Sequence, residues 1–247
     1  MLTICQCCDG LCERFDKLAE GQAGPKGFAS GLIGALWYPF TGQGPFLLLG
    51  ATLFQLATGM LGVFAMLLAV AGGACVAVLL RRIVLSSAEG EATFPGWPEI
   101  DMATAREAAL QLLAVSAVSF GPWTLFRIWV QPDTDAAKLA CGSLLALGAC
   151  YFPIALLGVL IYDSLAALNP LLVLVSIVKV PLHYLATCLF VSALLGMQWF
   201  AEMALARAGT PLWAALASGA ASLYLAVAAL RAIGWFYYCT KDRLAWS

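Results

Sequence analysis

Long apolar runs alternate with short polar breaks along the chain, and the reading of one run decides the rest. Phe46 to Leu80 is thirty-five residues without a charged side chain. As a single α-helix it would extend about 52 Å, at roughly 1.5 Å per residue. The hydrocarbon core of a bilayer is only about 30 Å thick. The run therefore predicts two short helices folded back at Thr58-Gly59-Met60-Leu61-Gly62, where two glycines remove the steric bar to a sharp reversal.

The other elements follow from the same alternation. Phe28 to Phe40 is apolar but too short to span, and its Trp37-Tyr38-Pro39 ending suits an interfacial helix. Arg81-Arg82 closes the long run, and the polar loop from Ser86 to Met102 follows, rich in proline, glycine and acids. Thr104 with Glu107 three residues on predicts a capping box, with Asp101 as a competing N-cap. The third span then runs to about Val130, bent at Pro122. Gln131 to Lys138 reads as a loop, and Leu139 to Tyr162 as a fourth span interrupted by Pro153. Asn169-Pro170 supplies an N-cap and a first helical residue for a short helix ending before Pro181. Leu182 to Leu205 is the fifth span, and Thr210-Pro211 opens a sixth that reaches about Ile233. An aromatic and then basic tail follows.

Composition places this pattern in a membrane. Of 247 residues, 62% are hydrophobic and 11% charged, with a mean hydropathy of +0.90. A soluble domain of this size cannot bury that much apolar surface, so the bilayer is the solvent. A net charge of −1 supplies no basic footprint, and no nucleic-acid partner is expected. Residues 1–27 are polar, with four acids and the cysteines Cys5, Cys7, Cys8 and Cys12, and contain no apolar core of a cleavable signal.

Lysine and arginine placement tests the topology. With six spans and the N-terminus inside, ten cations face the cytoplasm: Arg14, Lys17, Lys26, Arg81, Arg82, Arg106, Lys179, Arg231, Lys241 and Arg243. Three lie outside: Arg127, Lys138 and Arg207. Reading Phe46–Leu80 as one span would change ten against three to seven against six, so the positive-inside rule favours the hairpin. The expected fold is an all-α polytopic membrane helix bundle. Its six transmembrane helices form three hairpins, joined by interfacial elbow helices. The membrane domain covers residues 28–243, preceded by a cysteine-containing cytoplasmic segment at 1–27 and followed by a short tail at 244–247. Both termini are expected to be cytoplasmic, in a multi-pass protein of the cell membrane. A short helix before a helix pair, at 28–80, 101–162 and 169–233, gives the layout a rough threefold pattern without a residue-level repeat.

In the stretch RRIVLSSAEGEATFPGWPEID the chain resembles a family of uncharacterised prokaryotic multi-pass membrane domains, loosely Yip-like in hydropathy. Gly72-Gly73, Arg81-Arg82, Glu89-Gly90-Glu91 and Pro95-Gly96-Trp97-Pro98 carry the likeness. Ala167-Leu168-Asn169-Pro170 with Val180-Pro181 is similar to the family's second interfacial element. The resemblance covers residues 28–243 and implies a helical bundle, but no reaction.

Candidate chemistry is sparse. Cys5, Cys8 and Cys12 have thiolate spacing open to zinc or an iron–sulfur cluster, but no second Cys-x-x-Cys or nearby histidine completes a ligand set. Acylation, or simply reduced cytosolic thiols, are the other readings, and no cofactor is expected. Cys75, Cys141, Cys150, Cys188 and Cys239 read as small residues of apolar stretches. Arg81, Arg82, Glu89, Glu91, Trp97, Glu99, Asp101 and Lys179 form the expected partner or lipid surface, with Trp97 an interfacial anchor and the acids able to pair with Arg81 and Arg82. His183 is the single histidine, near Lys179 and Asp163, and reads as an interfacial side chain. No serine has a histidine–carboxylate pattern, so a hydrolase triad has no support. Gln55 and Gln198 are the mid-span polar groups, while Glu202 and Arg231 lie toward helix ends within reach of headgroups. Ala214, Ser218 and Ser222, with Gly219, give the sixth span a small-residue packing face. The expected function is non-enzymatic: a membrane-organising or assembly subunit presenting cytoplasmic loops to membrane lipids, a protein partner or a second copy. The alternative is a facilitative transporter or channel for a small neutral solute.

Overall fold

The computed structural model describes residues 2–4, 11–13, 27–60, 63–96, 101–130, 134–207, 211–244 and 246. Apart from two paired three-residue strands, β1 (Leu2–Ile4) and β2 (Leu11–Glu13), the described chain is helical. Helix α1 (Phe28–Trp37) runs into a 3₁₀ turn at Tyr38–Phe40. Helices α2 (Gly44–Met60) and α3 (Val63–Glu89) follow, then α4 (Met102–Val130) and α5 (Asp135–Tyr162). A 3₁₀ turn at Leu165–Leu168 leads to α6 (Pro170–Lys179), α7 (Pro181–Arg207) and α8 (Pro211–Leu244).

Four helical segments are long and apolar enough to cross a membrane: Met102–Val130, Asp135–Tyr162, Pro181–Leu205 and Leu216–Leu244. The Phe46–Leu80 run is broken between Met60 and Val63, at the expected glycine pair; Leu61 and Gly62 themselves lie outside the described residues. The two helices pack on each other, and Phe54 of α2 lies against Gly72 of α3. Side chains such as Leu113, Trp129, Leu139, Leu189 and Phe200 stand exposed on the helix flanks, as lipid-facing positions do.

Helix α8 is the hub, packing against α1, α2, α3 and α7. It also corrects the expected end of the last span, because the helix continues past Ile233 to Leu244. Gly234 does not stop it. A side chain at this position would run into Ser87 and the Val84 carbonyl of α3, so the glycine lets two helix backbones approach closely. Beyond it Trp235, Phe236, Thr240 and Leu244 are buried, and that packing carries the helix on.

Proline and cap signals settle most other boundaries. Asn169 accepts a hydrogen bond from the Leu171 N–H at 3.0 Å, and Pro170 is the first residue of α6. The expected cap at Thr104 loses to Asp101, whose carbonyl accepts from Ala105 N–H at 2.9 Å at the start of α4. No separate short helix precedes α4 among the described residues, so the middle unit of the expected threefold pattern lacks its elbow. The expected Gln131–Lys138 loop is also shorter: Thr134 caps α5 by accepting from Ala137 N–H at 3.2 Å. Pro122 and Pro153 sit inside continuous helices. Pro153 cannot donate to the Ala149 carbonyl, and at the next residue the Tyr184 hydroxyl donates to the Cys150 carbonyl.

Candidate functional site

The polar side chains converge where the last turns of α3, α5 and α8 meet the first turns of α4 and α7. Two centres lie there. The first is built on Arg231 and Trp235, four residues apart and so on one face of α8. The guanidinium carbon of Arg231 lies 4.5 Å from the Tyr38 ring centroid and 5.6 Å from that of Trp235. Tyr38 is turned inward from its 3₁₀ turn, so it does not lie at the interface beside the exposed Trp37. Thr41 fixes that turn: its hydroxyl donates to the Tyr38 carbonyl at 2.7 Å and accepts from Phe94 N–H at 3.1 Å. The Phe94 ring lies 5.4 Å from the Tyr38 ring. The Tyr38 hydroxyl stands 3.5 Å from Ser86 Oγ, and burial pushes its pKa above the usual phenol range, so it stays protonated.

This centre corrects the expectation that Arg231 reaches headgroups from a helix end. It is buried, and its Nη1 has no hydrogen-bond partner among the described residues; neither have Trp235 Nε1 and Ser87 Oγ. Glu91 acts on Arg231 electrostatically without forming an ion pair within 4 Å. Helix α3 ends beside it through a glycine cap. Gly90 adopts φ 89°, its N–H bonds the Ser87 carbonyl, and the Glu91 N–H bonds the Ser86 carbonyl.

The second centre is Asp163, the left-handed C-cap of α5 (φ 49°, ψ 35°). Its Oδ1 accepts from Arg81 Nη2 and from Gln111 Nε2, both at 2.8 Å. This single carboxylate therefore ties α3 and α4 to the end of α5. Arg81 thus pairs with Asp163 and not with the acidic loop, and His183 lies elsewhere, edge-on to Phe28 at 4.7 Å between ring centroids. Beneath the ion pair is an apolar cleft of about 240 Å³ between Ala77, Arg81, Leu112, Leu156 and Leu230. That is below the roughly 300–1,000 Å³ of ordinary small-molecule sites.

Lys179 is engaged as well, its Nζ donating to the Leu244 carbonyl at 2.9 Å and so capping α8. Trp246 Nε1 donates to Ser176 Oγ at 3.2 Å, pinning the tail to α6. Of the remaining surface candidates Arg82, Glu89 and Asp101 are exposed and Glu91 is half-buried, and the structure does not gather them into one cluster. Trp97 and Glu99 lie outside the described residues, as do Cys5 and Cys8; Cys12 falls within β2. Cys75, Cys141, Cys150, Cys188 and Cys239 carry free thiols, of which Cys188 is buried and Cys150 and Cys239 are exposed. Gln198 donates through Nε2 to Glu202 Oε1 at 3.1 Å and to Ser222 Oγ at 2.9 Å, joining α7 to α8; the Gln55 side chain lies outside the description.

No family model, curated protein or solved structure matches the chain. The resemblance to multi-pass membrane domains therefore rests on the residues quoted for it. Sequence reasoning missed both centres. The signal for the first was present, since Arg231 interrupts the apolar run LAVAALRAIGWF. An ionisable group inside such a run marks a buried partner or a site.

Proposed function

We propose that the chain is a non-enzymatic, six-span protein of the cell membrane with both termini cytoplasmic. In this reading it organises or assembles membrane components through its polar cytoplasmic end. One observation carries the reading: the polar side chains that meet at that end are spent tying helix ends together. Asp163 joins α3, α4 and α5, and Lys179 and Trp246 fasten the last helix to α6. Charge supports the orientation, because Arg81, Arg106, Lys179, Arg231, Lys241 and Arg243 all belong to helix segments at this end. The α2–α3 pair supplies the remaining two spans. The Gln198 amide, engaged with Glu202 and Ser222, supports a packed framework over a solute path.

Gentle detergent extraction of the native complex, followed by mass spectrometry of what co-purifies, tests this. A stoichiometric partner lost when Glu89, Glu91 and Glu99 are changed to alanine is the expected result. A protein that emerges alone or as a homo-oligomer contradicts it, and solute-flux assays then test the facilitative transporter.

A further inference from the structure

Arg231, Trp235 and Ser87 form a cluster of donors without an acceptor. All are more than nine-tenths buried, at 4%, 2% and 0% exposure. Guanidinium and indole N–H groups can only donate, and a hydroxyl can turn its proton toward an oxygen. Arg231 Nη1, Trp235 Nε1 and Ser87 Oγ nevertheless have no partner among the described residues. A buried cation facing ring faces and other donors is costly unless an anion balances it.

The depth of the cluster narrows the choice. Ser87 faces Gly234 and lies two residues before the end of α3, where the chain turns polar at Glu89 and Glu91. Arg231 is thus level with a helix end and not with the middle of the bundle. A group with several oxygen acceptors and negative charge would satisfy all three donors together.

We propose that Arg231, Trp235 and Ser87 bind a phosphate oxyanion, carried either by an anionic phospholipid headgroup or by free phosphate. Tyr38 is the cover that moves to admit it, since its ring lies over the guanidinium and its hydroxyl reaches Ser86 only at 3.5 Å. The site does not rest on the organising role proposed above; a transporter with this centre would bind the same group.

Thermal unfolding of the full chain in nanodiscs tests the site. The discs contain phosphatidylcholine alone, phosphatidylcholine with phosphatidylglycerol, or phosphatidylcholine with added inorganic phosphate. A rise of several degrees with phosphatidylglycerol alone assigns a lipid phosphate, and a rise with inorganic phosphate assigns the free anion. Arg231→Gln abolishes the rise, while Arg82→Gln, at an exposed cation, leaves it intact. Trp235→Phe keeps a ring beside the guanidinium but removes the N–H, and weakens the apparent affinity about tenfold. No rise in either arm overturns the proposal, and so does an equal rise in wild type and Arg231→Gln. Where Arg231→Gln does not fold, unchanged affinity in Trp235→Phe overturns it.

Discussion

Gly234 and Tyr38 do more for this protein than their sequence context suggests. At Gly234 any side chain meets the backbone of α3, so Gly234→Val overpacks the contact between α3 and α8. A loss of about 1–3 kcal/mol is expected, read as a lower midpoint of thermal unfolding in detergent. Tyr38 separates ring from hydroxyl. Tyr38→Phe gives up only the 3.5 Å contact with Ser86 and costs less than about 1 kcal/mol. Tyr38→Ala strips the ring from Arg231 and Phe94 and costs about 3–5 kcal/mol. Denaturant titration of the two variants side by side checks the difference; equal losses would place the hydroxyl, and not the ring, at the centre of the contact. The sequence makes Arg231 visible as a charge in an apolar run, but not its surroundings. Tyr38 and Ser87 arrive from distant parts of the chain, and no local spacing announces them.

At the scale of elements, proline and charge were legible and glycine was not. Pro170, Pro181 and Pro211 begin helices because a fixed φ and a missing N–H cost nothing in the first turn. Pro122 and Pro153 look like breaks but lie inside continuous helices, where neighbouring groups take up freed backbone acceptors. Gly234 reads as a terminator when it is a packing residue, and that single misreading shortened the last helix and moved Arg231 to its end. The extra turns of α8 have a testable consequence. Trp246 lies 5.9 Å from Tyr162 and 5.7 Å from Tyr237 between ring centroids, and it bonds Ser176. Trp246→Ala is expected to cost about 3 kcal/mol and to raise amide hydrogen exchange selectively in α6. Exchange unchanged in α6 would show that the tail does not hold that helix.

Across the whole molecule, the alternation of apolar runs and cations gives both the number of spans and their direction, while the joining of their ends depends on Asp163, Arg231 and Lys179. The account stands on the fold-back between Met60 and Val63, which puts the polar end in the cytoplasm and makes six spans of the apolar pattern. Reporter fusions after residues 62, 95, 132, 166, 209 and 247 test it most directly, using green fluorescent protein for the inside and alkaline phosphatase for the outside. The expected result is phosphatase activity at 62, 132 and 209, with fluorescence at 95, 166 and 247. Fluorescence at both 62 and 95 would contradict it, because Phe46–Leu80 would then not cross the bilayer and return.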